Sequence, residues 1–354
     1  MARRALPLAL AICSIHVVMA DDIDKVWTSW LTSPPYEAVQ TATKLAIRAD
    51  HLAANLSDGV LNITGSVDVV VSGGGNLDAY FLGGYMLLNR LETDGKISMS
   101  RFAGASAGGM MPFELLLKGE NSTLIEHLSY GFLEQTFPTH FSNMVNAAAT
   151  QDHHWRIMTK WMVNTFSGGL SSLDDRVFLA LSCLDPLPKL VVVSNFTSKD
   201  QAEHAFMATG TFFEEYDGMP CSDGGAMSGP RMTPLFQDHA RKQIIVDLMR
   251  TGRPTNQVSI MHNAGTGFFL CYIRYCMMIC VIHYYHAPLH FRFLELFAVP
   301  IYQASQINMT QYATLVQQGQ DEMAKFLQSG TCRENAISLC PANADVRSQV
   351  CKKR

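Results

Sequence analysis

The apolar positions of this chain follow two different periods. From Val67 to Val71 they form a short, nearly continuous β-branched run, the pattern of a strand buried on both faces. From Leu77 to Leu91 they recur as Leu77, Phe81, Tyr85 and Leu88, which share one face of a helix. A second strand is predicted over Ile97–Phe102. Two parallel strands need a crossover connection, and a helix is the usual one, so strand, helix and strand in this order predict a parallel sheet. A third helix is expected to start at the glycines after Ser106, with Pro112 tolerated near its first turns. Val177–Leu184 and Leu190–Phe196 read as two more strands, joined in a hairpin by Asp185-Pro186-Leu187-Pro188, whose prolines fix the bend. Upstream, Ala, Leu and Ile recur at helical spacing from Tyr36 to Leu56. The fold class read from this pattern is α/β.

Two stretches depart from it. Arg3 and Arg4, an apolar run Ala5–Ile12 and the small-residue site Val18-Met19-Ala20 read as a secretory signal over residues 1–20. The rival reading, an uncleaved anchor or amphipathic first helix, has an apolar run that is short for a bilayer span. Later, Phe268–Tyr285 is nearly of membrane length but carries Arg274 and His283. The apolar insertion 267–299 around it has three readings: a buried or lipid-facing insertion, a membrane-spanning helix, or an artefact of the gene model. The domain expectation is therefore a signal (1–20), an N-terminal helical segment (21–65), a main domain (66–330) and a polar, cysteine-containing tail (331–354).

Composition narrows the function classes. Of the 354 residues, 48% are hydrophobic and 16% charged, which supplies one large core or two modest ones and excludes a disordered chain. A net charge of -4 with no basic block leaves no footprint for nucleic acid. Five sequons, at Asn55, Asn62, Asn121, Asn195 and Asn308, fit the exocytic route that the signal implies. Cys332, Cys340 and Cys351 crowd the tail, where disulfides are expected, whereas Cys271, Cys276 and Cys280 sit in the apolar run and suit free buried thiols equally. No Cys-x-x-Cys or His-Glu-x-x-His occurs, so no metal or cofactor is implied.

The candidate chemistry lies at the ends of the predicted strands. Gly104-Ala105-Ser106-Ala107-Gly108 is a G-x-S-x-G between a strand and a helix, the setting in which a serine is held exposed on a sharp elbow. An attacking serine needs oxyanion donors already in place, and backbone N–H groups serve best where no side chain intervenes. Gly73, Gly74 and Gly75 supply such groups at the end of the first strand, beside a helix N-terminus. A phosphate cradle is the rival use of these glycines, but neither G-x-G-x-x-G nor G-K-[ST] completes one. Asp223, followed by Gly224 and Gly225, offers a base for the serine and is expected in a polar turn after a helix.

Glycine strand-end, serine elbow and late Asp-Gly-Gly, in that order between Val67 and Pro230, resemble the patatin-like phospholipase family. The resemblance implies a three-layer α/β/α sandwich around a mainly parallel sheet and a Ser-Asp dyad that cuts acyl esters of glycerolipids at a membrane or lipid-droplet surface. Carried over by position, Ser106 is the nucleophile, Asp223 the base, Gly73 to Gly75 the oxyanion hole, and Gly104 and Gly108 the elbow glycines. Two departures stand out. The family usually has a basic residue and then a glycine where this chain has Leu77 and Asp78, and an asparagine where it has Gly229. Two other readings remain open: a Ser-Asp-His hydrolase using one of His239, His262, His283, His286 or His290, and an inactive member that binds lipid or protein.

Overall fold

The computed structural model describes residues 22–57, 65–71, 73–138, 144–185, 187–211, 214–224, 242–246, 308–329 and 337–340. The expected signal, the apolar insertion 267–299, the five downstream histidines and most of the tail lie outside them.

Among the described residues eight strands form one sheet, β1 (Gly65–Val71), β2 (Ile97–Ala105), β3 (Val177–Asp185), β4 (Leu187–Val193), β5 (Glu214–Tyr216), β6 (Met219–Asp223), β7 (Lys242–Val246) and β8 (Ile337–Cys340). Neighbours run β5-β6-β3-β2-β1-β7-β8, with β4 also paired to β3. β7, β1, β2 and β3 are mutually parallel and form the centre, and the flanking pairs are antiparallel. The fold is thus mixed α/β around an open, mostly parallel sheet.

The helices are α1 (22–32), α2 (Tyr36–Ser57), α3 (Asp78–Thr93), α4 (Ala107–Lys118), α5 (Glu120–Thr136), α6 (Met144–Thr165), α7 (Lys199–Gly210) and α8 (Met309–Ser329). α3 is the crossover from β1 to β2. The predicted helical face of Leu77–Leu91 proves too narrow: every residue from Asp78 to Leu88 is buried, because α8 packs on α3 from the side away from the sheet. The N-terminal helical segment is no appendage, since Ala38, Ala42 and Leu45 of α2 share a core with Phe81 and Val316, and Trp27 of α1 joins a second core with Phe113 and Phe206.

Both cores lie on one face of the sheet. Register places Val69, Phe102, Val177 and Ile244 on the same side, and all four belong to those cores. Right-handed crossovers that step in one direction, from β1 to β2 to β3, put their helices on one face. Val70, Ala103 and Ala180 point to the other face and are buried too, but belong to neither core. Among the described residues no further core lies on that face, and the other helical layer of the expected sandwich is not seen.

Two sequence expectations need correction. The β3–β4 ladder continues to the pair Asp185↔Leu187, and β4 starts at Leu187 instead of Leu190 and ends at Val193. Phe196 has left the strand and its N–H donates to Asp174 Oδ1. Asp223 is not in a turn after a helix. It is the last residue of β6, the second arm of a hairpin whose turn, Asp217-Gly218, has positive φ at both residues, 52° and 72°, as two-residue hairpins of this type require.

The edges of β3 decide where that arm arrives. β4 pairs with Leu179 through Asp185 and takes one edge. β2 pairs with Val177–Ala180 and β6 with Leu181–Cys183, so both must use the other edge. They lie end to end along it: β2 rises to Ala105, opposite Ala180, and β6 descends to Asp223, opposite Leu181. Adjacent positions on a strand are ~3.3 Å apart, so the carboxylate-bearing residue arrives about one step beyond the end of β2. A disulfide between Cys183 and Cys221 cross-links β3 and β6 two residues before Asp223.

Candidate active site

Ser106 follows the last residue of β2 and precedes the first of α4, and the chain turns there through a backbone that side chains rarely adopt. Its φ is 55° and its ψ -142°, a conformation that costs of order 1–3 kcal/mol and persists only where its surroundings impose it. They do. The Ser106 N–H donates to the Thr209 carbonyl at 2.9 Å, and its own carbonyl accepts the N–H groups of Gly109 (2.8 Å) and Met110 (2.9 Å). One elbow glycine is explained by approach: a methyl on Gly104 would stand 2.2 Å from the Gly108 carbonyl oxygen and 2.7 Å from that of Val71. The bare Gly104 therefore lets the first turn of α4 close onto the end of the strand. Ser106 is half-buried, at the N-terminus of α4, where the unpaired first-turn N–H groups favour negative charge.

The glycine loop meets this serine. A methyl on Gly73 would lie 3.0 Å from Ser106 Cβ and 3.7 Å from Ser106 Oγ, so the loop backbone rests directly on the nucleophile candidate. Gly75 serves a different end. Its φ of +56° opens a one-turn 3-10 segment, Gly75–Leu77, in which the Leu77 N–H bonds to the Gly74 carbonyl, and a methyl there would meet nothing within 4 Å. The triple glycine thus has one member bare for contact and another bare for its backbone angle.

Asp223 comes to the same corner. Gly224, which follows it, passes so close over β3 that a methyl would lie 1.9 Å from the Ala180 carbonyl oxygen and 3.1 Å from Cβ of Ala105, the residue before Ser106. Asp223 is half-buried, and its N–H donates to the Thr211 carbonyl at 2.7 Å. The end of α7 consequently braces both halves, with Thr209 holding the backbone of Ser106 and Thr211 that of Asp223, while the Thr209 hydroxyl donates to the Ala180 carbonyl at 2.9 Å. Sequence reasoning missed Thr209 and Thr211; their only trace is a pair of hydroxyl residues around Gly210, at a helix end. Ser72 and Gly225, which complete the two motifs, lie outside the described residues.

Two adjacent histidines of α6 serve structure: His153 and His154 both reach Asp24, at 2.9 and 2.8 Å, with His154 fully buried and His153 exposed. A cavity lined by Trp27, His127, Tyr130, Trp155 and Tyr312 lies among α1, α5, α6 and α8, and its lining includes no residue of the glycine loop, the elbow or β6. Among the described residues no helix is long and apolar enough to cross a membrane.

No family model matches the chain, and comparison with curated proteins gives no match.

Proposed function

We propose that this chain is a serine hydrolase of carboxylic esters, a patatin-like lipid acyl hydrolase with the sandwich architecture of that family, whose substrates are glycerolipids. The observation that carries the reading is convergence: a strained Ser106, a glycine loop resting on its side chain, and a strand that ends in Asp223 one step beyond Ala105. These parts are separated by up to 150 residues along the chain, from Gly73 to Asp223.

In this reading Ser106 Oγ attacks the acyl carbonyl carbon as its proton passes to the Asp223 carboxylate, and amides of the glycine loop together with the start of α4 stabilise the oxyanion. Collapse breaks the acyl carbon–oxygen bond, and the departing alcohol or lysolipid takes the proton from Asp223. Water then attacks the acyl-serine, gives its proton to Asp223 and releases the fatty acid, and Ser106 recovers its proton. A carboxylate is a weak base in water, and an acyl chain that desolvates the corner would strengthen it. The Cys183–Cys221 bridge supports an oxidising compartment and so the secretory route, with peripheral contact to lipid.

The test is lipid product analysis of the purified protein beside Ser106→Ala and Asp223→Asn, with labelling by an active-site-directed organophosphonate. Release of fatty acid and serine labelling by the parent, both lost in Ser106→Ala, are the expected results. A folded parent that neither labels nor releases acyl chains refutes the reading.

A further inference from the structure

The glycine loop and the serine elbow are joined by a second connection, buried behind them. Asp78 opens α3 directly after the loop, at a position where the family resemblance leads one to expect glycine. Its carboxylate is buried and lies 3.8 Å from His127 Nδ1. The other ring nitrogen of His127, on α5, is 3.0 Å from Glu114 Oε2. Glu114 belongs to α4, the helix that starts at Ser106, and its fully buried side chain is pinned by Lys118 Nζ at 2.9 Å. Lys118 in turn bonds Glu126 of α5 at 2.6 Å. Asp78, His127 and Glu114 therefore span from the start of α3 to the body of α4.

The histidine ring has little freedom to let go. Tyr312 of α8 stacks on it with centroids 5.5 Å apart, and Trp155 of α6 meets it edge-on at 5.6 Å. The titratable groups facing Asp78 are His127 from α5, Glu114 from α4 and Tyr312 from α8, while Lys118 of α4 and Glu126 of α5 face Glu114. Burial pushes the Asp78 carboxyl up to about 7 although His127 pulls it down, so the site is dry, and at 3.8 Å the contact with His127 is electrostatic and not a hydrogen bond. Buried charges of this kind add little stability over apolar packing, but the short contacts of Glu114 with His127 and Lys118 are exacting in geometry, and they fix the ring against which Asp78 lies.

We propose that Asp78, His127 and Glu114 form a positioning bridge that holds the amides of Gly73–Gly75 at the distance from Ser106 that oxyanion binding needs. The inference rests on the ester-hydrolase reading for its catalytic consequence, though not for the bridge itself. Leu77 and Asp78 then are not a degraded family motif: the acid replaces a flexible residue by an anchor.

Two readouts separate bridge from chemistry. The first is hydrogen exchange by mass spectrometry over the peptide spanning residues 73–77, in Asp78→Asn and in the same change made on Ser106→Ala. The second is kcat and KM on a soluble nitrophenyl acyl ester. Exchange in that peptide at least tenfold faster in both backgrounds, with kcat at least tenfold lower and KM within about twofold, is the expected result. Unchanged exchange overturns the bridge, whatever the activity. Faster exchange with parent kcat overturns its positioning role. If the parent itself turns over no ester, the hydrolase reading fails alone, and exchange still decides whether the bridge holds the loop. Should Asp78→Asn not fold, His127→Gln breaks the same chain in the middle and is judged by the same two measurements.

Discussion

Replacing Gly73 by alanine should separate catalysis from folding more cleanly than any change to the serine. The added methyl would stand 3.0 Å from Ser106 Cβ and 3.2 Å from the Ala105 carbonyl oxygen. Carbon atoms pack best at ~3.5–4.0 Å, so the loop must retreat by about 0.5 Å or more. Strain of this kind costs ~1–3 kcal/mol of stability, small enough to leave the protein folded. The same retreat lengthens every hydrogen bond from the loop to an oxyanion, and loss of one such donor costs ~10²–10³ in kcat. On the hydrolase reading, the expected result is therefore a folded protein with kcat lowered about a hundredfold on a nitrophenyl ester. Two neighbours serve as controls. Gly75→Ala meets open space and bears only the backbone cost of a positive φ, ~1–2 kcal/mol, so kcat should stay within a few-fold of the parent. Gly104→Ala drives its methyl to 2.2 Å from a backbone carbonyl that cannot swing aside, so folding itself should suffer, by ~3 kcal/mol or more. A folded Gly73→Ala protein with parent kcat would refute the assignment of this loop as the oxyanion hole.

Three further outcomes follow from the same structure. Changing Cys183 and Cys221 to serine opens a loop of sequence separation 38 and should lower unfolding free energy by ~4 kcal/mol in denaturant titrations; no change in midpoint would show that the two thiols are not joined. Burial pushes the Glu134 carboxyl up from its ordinary 4.5 to about 8, so between those values the folded state keeps a proton that the unfolded state has lost, and stability falls as pH rises. Glu134→Gln should remove that slope, matching the parent at pH 4 and exceeding it at pH 9 by at most about 5 kcal/mol, as thermal melts at the two pH values will show. Lys118→Met leaves Glu114 and Glu126 without their buried cation and should destabilise by ~3–5 kcal/mol, and an unchanged melting temperature would contradict the ion pairs.

What the sequence disclosed and what it hid divide along the range of the interactions. β1, α3, β2 and the elbow were readable because their signals are local: a β-branched run, a helical repeat and a Gly-x-Ser-x-Gly within eleven residues of a strand. The strand bearing Asp223 was misread as a turn, although Asp217-Gly218 is a strong hairpin signal, because strands of three and five residues carry too little periodicity to be seen. The pairing of β6 with β3 depends on the edge that β4 and β2 leave free, and no window of sequence contains that information. The same holds for the bridge through His127, whose members come from α3, α4 and α5 and look, one at a time, like ordinary polar residues of amphipathic helices.

The end-to-end meeting of β2 and β6 on one edge of β3 makes the site digital. Side chains alternate between the faces of a sheet, so a slip of β6 by a single residue would carry the Asp223 carboxylate through to the opposite side, and no intermediate setting exists. Lengthening β2 by one paired residue would evict β6 from its place altogether. Substitutions that loosen β6 should thus yield mixtures of fully competent and wholly inert molecules, not a population of uniformly slower ones.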